Sequence, residues 1–97
     1  MTFEEFNKSL SDEVPPSGLT EELKGMWWDG KGNWQQSHET VQDLGSKAAA
    51  WVHAYLHRKE GDIWNADYWY SRAGKTRPKV GLNEEWEQIV KELISAS

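Results

Sequence analysis

Cysteine is absent from this 97-residue chain, which excludes disulfide staples and any metal site built on thiolate. Long apolar runs are missing too. Nothing approaches the roughly 20 residues of a membrane-spanning helix, and the opening MTFEEFNKSL is acidic, without the apolar centre of a secretory signal. A cytoplasmic protein with no membrane attachment, folded as one domain over residues 1–97, is the expectation. Proline is scarce, and two of the three stand together at Pro15 and Pro16, so helix is barred from little beyond residues 11–18. No segment alternates with period two for long enough to make a strand.

Against these absences stand seven tryptophans, with Trp51, Tyr55, Trp64, Tyr68, Trp69 and Tyr70 crowded into twenty residues. Large rings bury much apolar area and have few rotamers to lose, so they serve cores and ligand sites equally well. A domain of this size buries only somewhat above roughly 60% of its unfolded surface, so most of these rings are expected to be structural. The net charge of -5 is unevenly spread: residues 1–45 carry -6, residues 46–81 carry +4 and residues 82–97 carry -3. The plain reading is that acidic ends fold back on a basic middle. The sharper one is a cationic surface for an anionic partner.

Six helices are predicted. Thr2 and Glu5 have capping-box spacing ahead of Phe3, Phe6 and Leu10. After the Pro-containing linker, Thr20 caps a helix reaching about Lys31, and Asn33 caps another that Gly45 ends. A fourth runs over 46–60 and a fifth over 62–73, the latter carrying Trp64, Tyr68 and Arg72 as a stripe at i, i+4, i+8. A basic connector, GKTRPKVG, leads to a last helix capped by Asn83, with Trp86, Ile89, Val90 and Leu93 on one face. The expected fold is all-α: stacked antiparallel helical hairpins over residues 18–78, preceded by a helix and linker over 1–17 and closed by a capping helix over 82–97.

Gly32-Asn33 and Gly61-Asp62 each lie between two predicted helices, 29 residues apart. In the second unit Ala54 is a small residue in the first helix, Gly61-Asp62 marks the turn, and Ala66, Tyr70 and Ala73 form a small, aromatic, small pattern before Pro78. This unit resembles a tetratricopeptide repeat. The first, with Gly25, Gly32, Ser37, Val41 and Leu44, is a looser match, and the spacing is about five short of the family's roughly 34 residues. The resemblance implies a concave, partner-binding face carrying Ala48, Trp51, Tyr55, Arg58 and Lys59. His53 and His57 depart from it, standing where the family has a large apolar residue and an aromatic. The chain is also similar to small bacterial proteins of about this length, which implies no activity.

Two functions from different classes follow. The first is a non-catalytic binding module, needing no cofactor, that offers Trp51, Tyr55, Arg58, Lys59, Trp64, Tyr68 and Arg72 to a protein, an acidic peptide or a small anionic ligand. Nucleic acid is disfavoured because the acidic flanks would repel a phosphate backbone. The alternative is a small hydrolase or metal-dependent enzyme using His53, His57 and Glu60. The two imidazoles at i, i+4 share one side of a helix, as a metal pair requires. A zinc-protease glutamate would fall at position 54, which is Ala54. His38 is a candidate third ligand, although nothing in the sequence brings it near. Acid/base catalysis by His57 with Glu60 or Asp62 is a further variant. Gly74-Lys75-Thr76 is not the end of a phosphate-binding loop, since the first glycine would have to replace Trp69.

Overall fold

The computed structural model describes residues 1–96, and those residues form six helices and no strand. They are α1 (Phe3–Ser9), α2 (Glu21–Gly30), α3 (Trp34–Val41), α4 (Lys47–Glu60), α5 (Ile63–Arg72) and α6 (Leu82–Ala96). The all-α fold of stacked antiparallel hairpins is as the sequence led us to expect: α2 packs on α3, and α4 on α5. Two ends differ. Helix α3 stops at Val41, ahead of Gly45, and α6 starts at Leu82, two residues before an Asn83 cap would allow. No helix is long and apolar enough to cross a membrane among the described residues.

The two hairpins turn in the same way. The N–H of Gly32 donates to the carbonyl of Asp29, and that of Asn33 to Trp28. In the second hairpin Gly61 donates to Arg58 and Asp62 to His57. Both glycines have φ of +84°, a left-handed conformation that closes a helix only where there is no Cβ to clash. Helix α2 comes close to α3 at Gly25, where an added Cβ would lie 2.6 Å from Val41 Cγ1. The Ser37 hydroxyl donates to the Gly25 carbonyl at 2.6 Å across the same contact.

Helix α4 is the centre of the molecule. Eight consecutive residues, Ala49 to Leu56, are buried, because α2, α3, α5 and α6 all pack on it. A helix covered all round needs no polar stripe, and apart from Lys47 and the buried His53 the charged and imidazole side chains of α4 gather in its last turn. Helix α6 lays Ile89, Val90 and Leu93 across α2 and α4, and the Trp86 indole N–H reaches the carbonyl of Met26 at 3.2 Å. Phe3 and Phe6 of α1 both pack their rings on Trp86 at 5.9 Å. The Pro-containing segment is held by Lys31, whose ammonium donates to the carbonyls of Leu10 and Asp12.

Candidate metal centre

The face expected to be concave and open is filled by α6. Trp51 is 8% exposed and Tyr55 2%, so neither ring is free to stack on a partner. Their polar atoms are engaged as well. Glu85, fully buried on α6, accepts from the Trp51 indole at 3.2 Å, from the Tyr70 hydroxyl at 2.7 Å and from Arg58 at 2.7 Å. Arg58 also donates to the carbonyl of Val80, turning inward where the sequence reading had it outward. Asp29, buried on α2, accepts from Tyr55 at 2.9 Å and from Lys59 at 3.0 Å. Burial raises the Tyr55 hydroxyl pKa well above its ordinary value, helped by the Asp29 charge; burial and the hydrogen bond to Glu85 do the same for Tyr70. Trp51, Tyr55 and Arg58 are therefore engaged inside the fold, and Lys59, though exposed, is paired with the buried Asp29.

The remaining proposed residues stay outside. Trp64 is 78% and Tyr68 47% exposed on the outer face of α5. Arg72 donates to the Tyr68 hydroxyl at 3.1 Å and lies over the rings of Tyr68 and Trp69 at 5.8 and 5.4 Å.

On the side of α4 away from α6, all three histidines converge. Helix α3 begins with Trp34, whose indole donates to the Leu56 carbonyl at 2.9 Å, and His38, one turn later, stacks on it at 4.9 Å and 11°. That stack carries His38 to α4, where its Nε2 lies 3.1 Å from Nε2 of His53. The His53 ring stacks on Trp69 of α5 at 4.0 Å and, on its own helix, near-parallel to His57 at 4.8 Å. One ring nitrogen from each histidine lies within 4.8 Å of the others. Helices α3 and α5 both pack on α4 but scarcely touch each other, and the imidazoles lie where the three helices meet, with Trp34 stacked on His38 and Trp69 on His53.

Burial lowers the pKa of His53 to about 4, with the charges of His38 and His57 adding to the effect; His38 is lowered too, by burial first and His57 second. Both rings are therefore neutral at pH 7, the state in which imidazole offers a lone pair. His57 Nδ1 lies 3.5 Å from Glu60 Oε1 and 3.7 Å from Asp62 Oδ2. It is buried without a hydrogen-bond partner. His57, Glu60 and Asp62 thus form a second grouping of ligand atoms that shares His57 with the first.

His38 is the functional candidate that sequence reasoning left stranded. The available signal was the repetition of one spacing: Trp34 to His38 and His53 to His57 are both i, i+4, which sets each His38-bearing and His53-bearing stripe along a single face. Fold and site together define an all-helical domain with a cluster of three histidines between its hairpins. No family model matches the chain, and no curated protein or solved structure matches it either.

Proposed function

We propose that this chain is a metal-binding domain that holds one divalent ion of the zinc class on His38, His53 and His57, and that it uses the ion for hydrolytic chemistry. The observation that carries the proposal is the 3.1 Å separation of the His38 and His53 Nε2 atoms. Two nitrogens bound to a tetrahedral ion at about 2.0–2.1 Å lie about 3.3 Å apart, so the pair needs almost no movement to share an ion. His57 supplies the third direction. Three protein ligands would leave one position open, the arrangement of catalytic rather than structural zinc, and an ion held there would supply the activation of water near neutral pH. An all-imidazole donor set suits zinc, copper, nickel or iron and disfavours magnesium or calcium.

Zinc titration of metal-free protein by calorimetry tests this. One equivalent should bind, and His38→Ala should abolish stoichiometric binding as completely as His53→Ala does. A His38→Ala protein that binds zinc like the wild type would reduce the centre to an ordinary i, i+4 pair and refute the proposal.

The binding-module reading keeps one specific support, the exposed Trp64, Tyr68 and Arg72 stripe, in which Arg72 has no carboxylate partner among the described residues. An anionic peptide or small anionic ligand would find a cation and two ring faces there. Because Trp69 joins Arg72 to His53 through ring contacts, the stripe adjoins the histidine cluster. Titration with acidic peptides should quench fluorescence in the wild type and less in Trp64→Phe; an identical response in the two proteins would remove Trp64 from the surface's function.

A further inference from the structure

Four helices of this fold are capped at their N-termini by the side chain that the sequence places there. Thr2 accepts from the N–H of Glu5, Thr20 from Leu23, Asn33 from Gln36 and Ser46 from Ala49. Helix α6 begins at Leu82, ahead of Asn83, and helix α5 has a capping residue in place that does not cap. Asp62 occupies the N-cap of α5 and makes no side-chain cap, although aspartate is among the best capping residues. Asn33 and Asp62 hold equivalent places after Gly32 and Gly61. Their backbones agree too, with φ and ψ of -106° and 78° against -86° and 72°. Asn33 caps at 3.0 Å. The Asp62 carboxylate turns instead to Asn65 Nδ2 at 2.7 Å and to His57 Nδ1 at 3.7 Å.

We infer that Asp62 is a positioning residue for this centre: its carboxylate keeps a proton on His57 Nδ1 and thereby leaves the Nε2 lone pair free to bind the ion. The consequence for the ion rests on the metal-binding reading above; the tautomer itself does not. The electrostatics are simple. An Nδ1 bearing a proton meets two carboxylates at 3.5 and 3.7 Å, whereas an Nδ1 bearing a lone pair would meet two anions with nothing to donate. Carboxylates commonly orient a ligating histidine through its second nitrogen in this way. Of the two, Asp62 is the more firmly held. It has a short side chain, sits at a fixed helix start, and accepts from Asn65. Glu60 lies slightly nearer and is about as exposed, but it is a longer side chain with more rotamer freedom to lose. The forgone cap is then the stability cost of orienting His57.

The experiment compares wild type, Asp62→Asn and Glu60→Gln. Asparagine caps as well as aspartate, so Asp62→Asn removes the charge while leaving the helix start intact, and its Tm should not fall. In metal-free protein at neutral pH, long-range nitrogen–proton NMR should find His57 protonated on Nδ1. Asp62→Asn should move that ring toward the Nε2–H form and weaken zinc binding about 10- to 100-fold, while Glu60→Gln changes both far less. A wild-type His57 protonated on Nε2, or a tautomer unmoved by Asp62→Asn, would overturn the inference. Wild-type protein with the Nδ1–H tautomer but no zinc binding would refute the metal proposal and leave the role of Asp62 standing.

Discussion

At the scale of single residues, the most consequential is Glu85. One buried carboxylate answers an indole, a phenol and a guanidinium drawn from α4 and α5. Removing it by Glu85→Ala would leave Arg58 charged and without its main partner in a dry place. Breaking a buried pair from one side typically costs about 3–5 kcal/mol, and urea denaturation should read a loss of that order. The phenols that face Glu85 and Asp29 also fix a pH limit. Their folded pKa values are raised above the unfolded value of about 10, so the stabilisation they give is complete below pH 10 and is lost as pH rises beyond it. Denaturation midpoints measured upward from pH 9 should fall, and Tyr70→Phe, less stable at neutral pH, should show a shallower decline.

The same residues show why the site was only partly legible in the sequence. Trp51, Tyr55, Arg58 and Lys59 look alike whether a partner or the protein itself receives them. What decides is a pair of carboxylates 34 and 26 positions away from Trp51 and Tyr55, and no local pattern points to those. His53 and His57 were visible as a pair because a helix places them together. His38 depends on how α3 packs against α4, which is tertiary information.

At the scale of elements, helix positions were legible because they rest on local chemistry. Thr2, Thr20 and Asn33 cap where their hydroxyls or amide suggested, Ser46 caps a helix expected to include it, and Gly32 and Gly61 turn the chain in a left-handed conformation that suits glycine best. An L residue in the left-handed region costs about 1–2 kcal/mol, and neither turn has anything within 4 Å of an added Cβ. Gly32→Ala and Gly61→Ala should therefore each destabilise the protein by about that much and by similar amounts, as read by thermal unfolding. A large difference between them would show that the two hairpins are less alike than their turns. The apolar stripe of α6 announced a buried face without saying what it would cover. It covers the groove that the resemblance to tetratricopeptide repeats had assigned to a partner.

At the scale of the whole molecule, the uneven charge found its plain explanation. Lys59 pairs with Asp29 of the acidic N-terminal part, and Arg58 and Lys75 pair with Glu85 and Glu92 of the acidic C-terminal part. The histidine centre, by contrast, joins the hairpins: His38 belongs to the first, His53 and His57 to the second. An ion held by all three would tie the hairpins together and stabilise the folded chain by mass action, by about 2.7 kcal/mol at a hundred times Kd. For a domain of this size that is a rise in Tm of about 10–20 °C. His38→Ala should remove the rise.

X-ray absorption at the zinc edge, on protein loaded with one equivalent, tests the central claim most directly. Three imidazole nitrogens at about 2.0–2.1 Å with a fourth, lighter oxygen shell are expected. A shell of oxygens, or one with fewer than three imidazoles, would contradict the assignment of His38, His53 and His57 as a single metal centre.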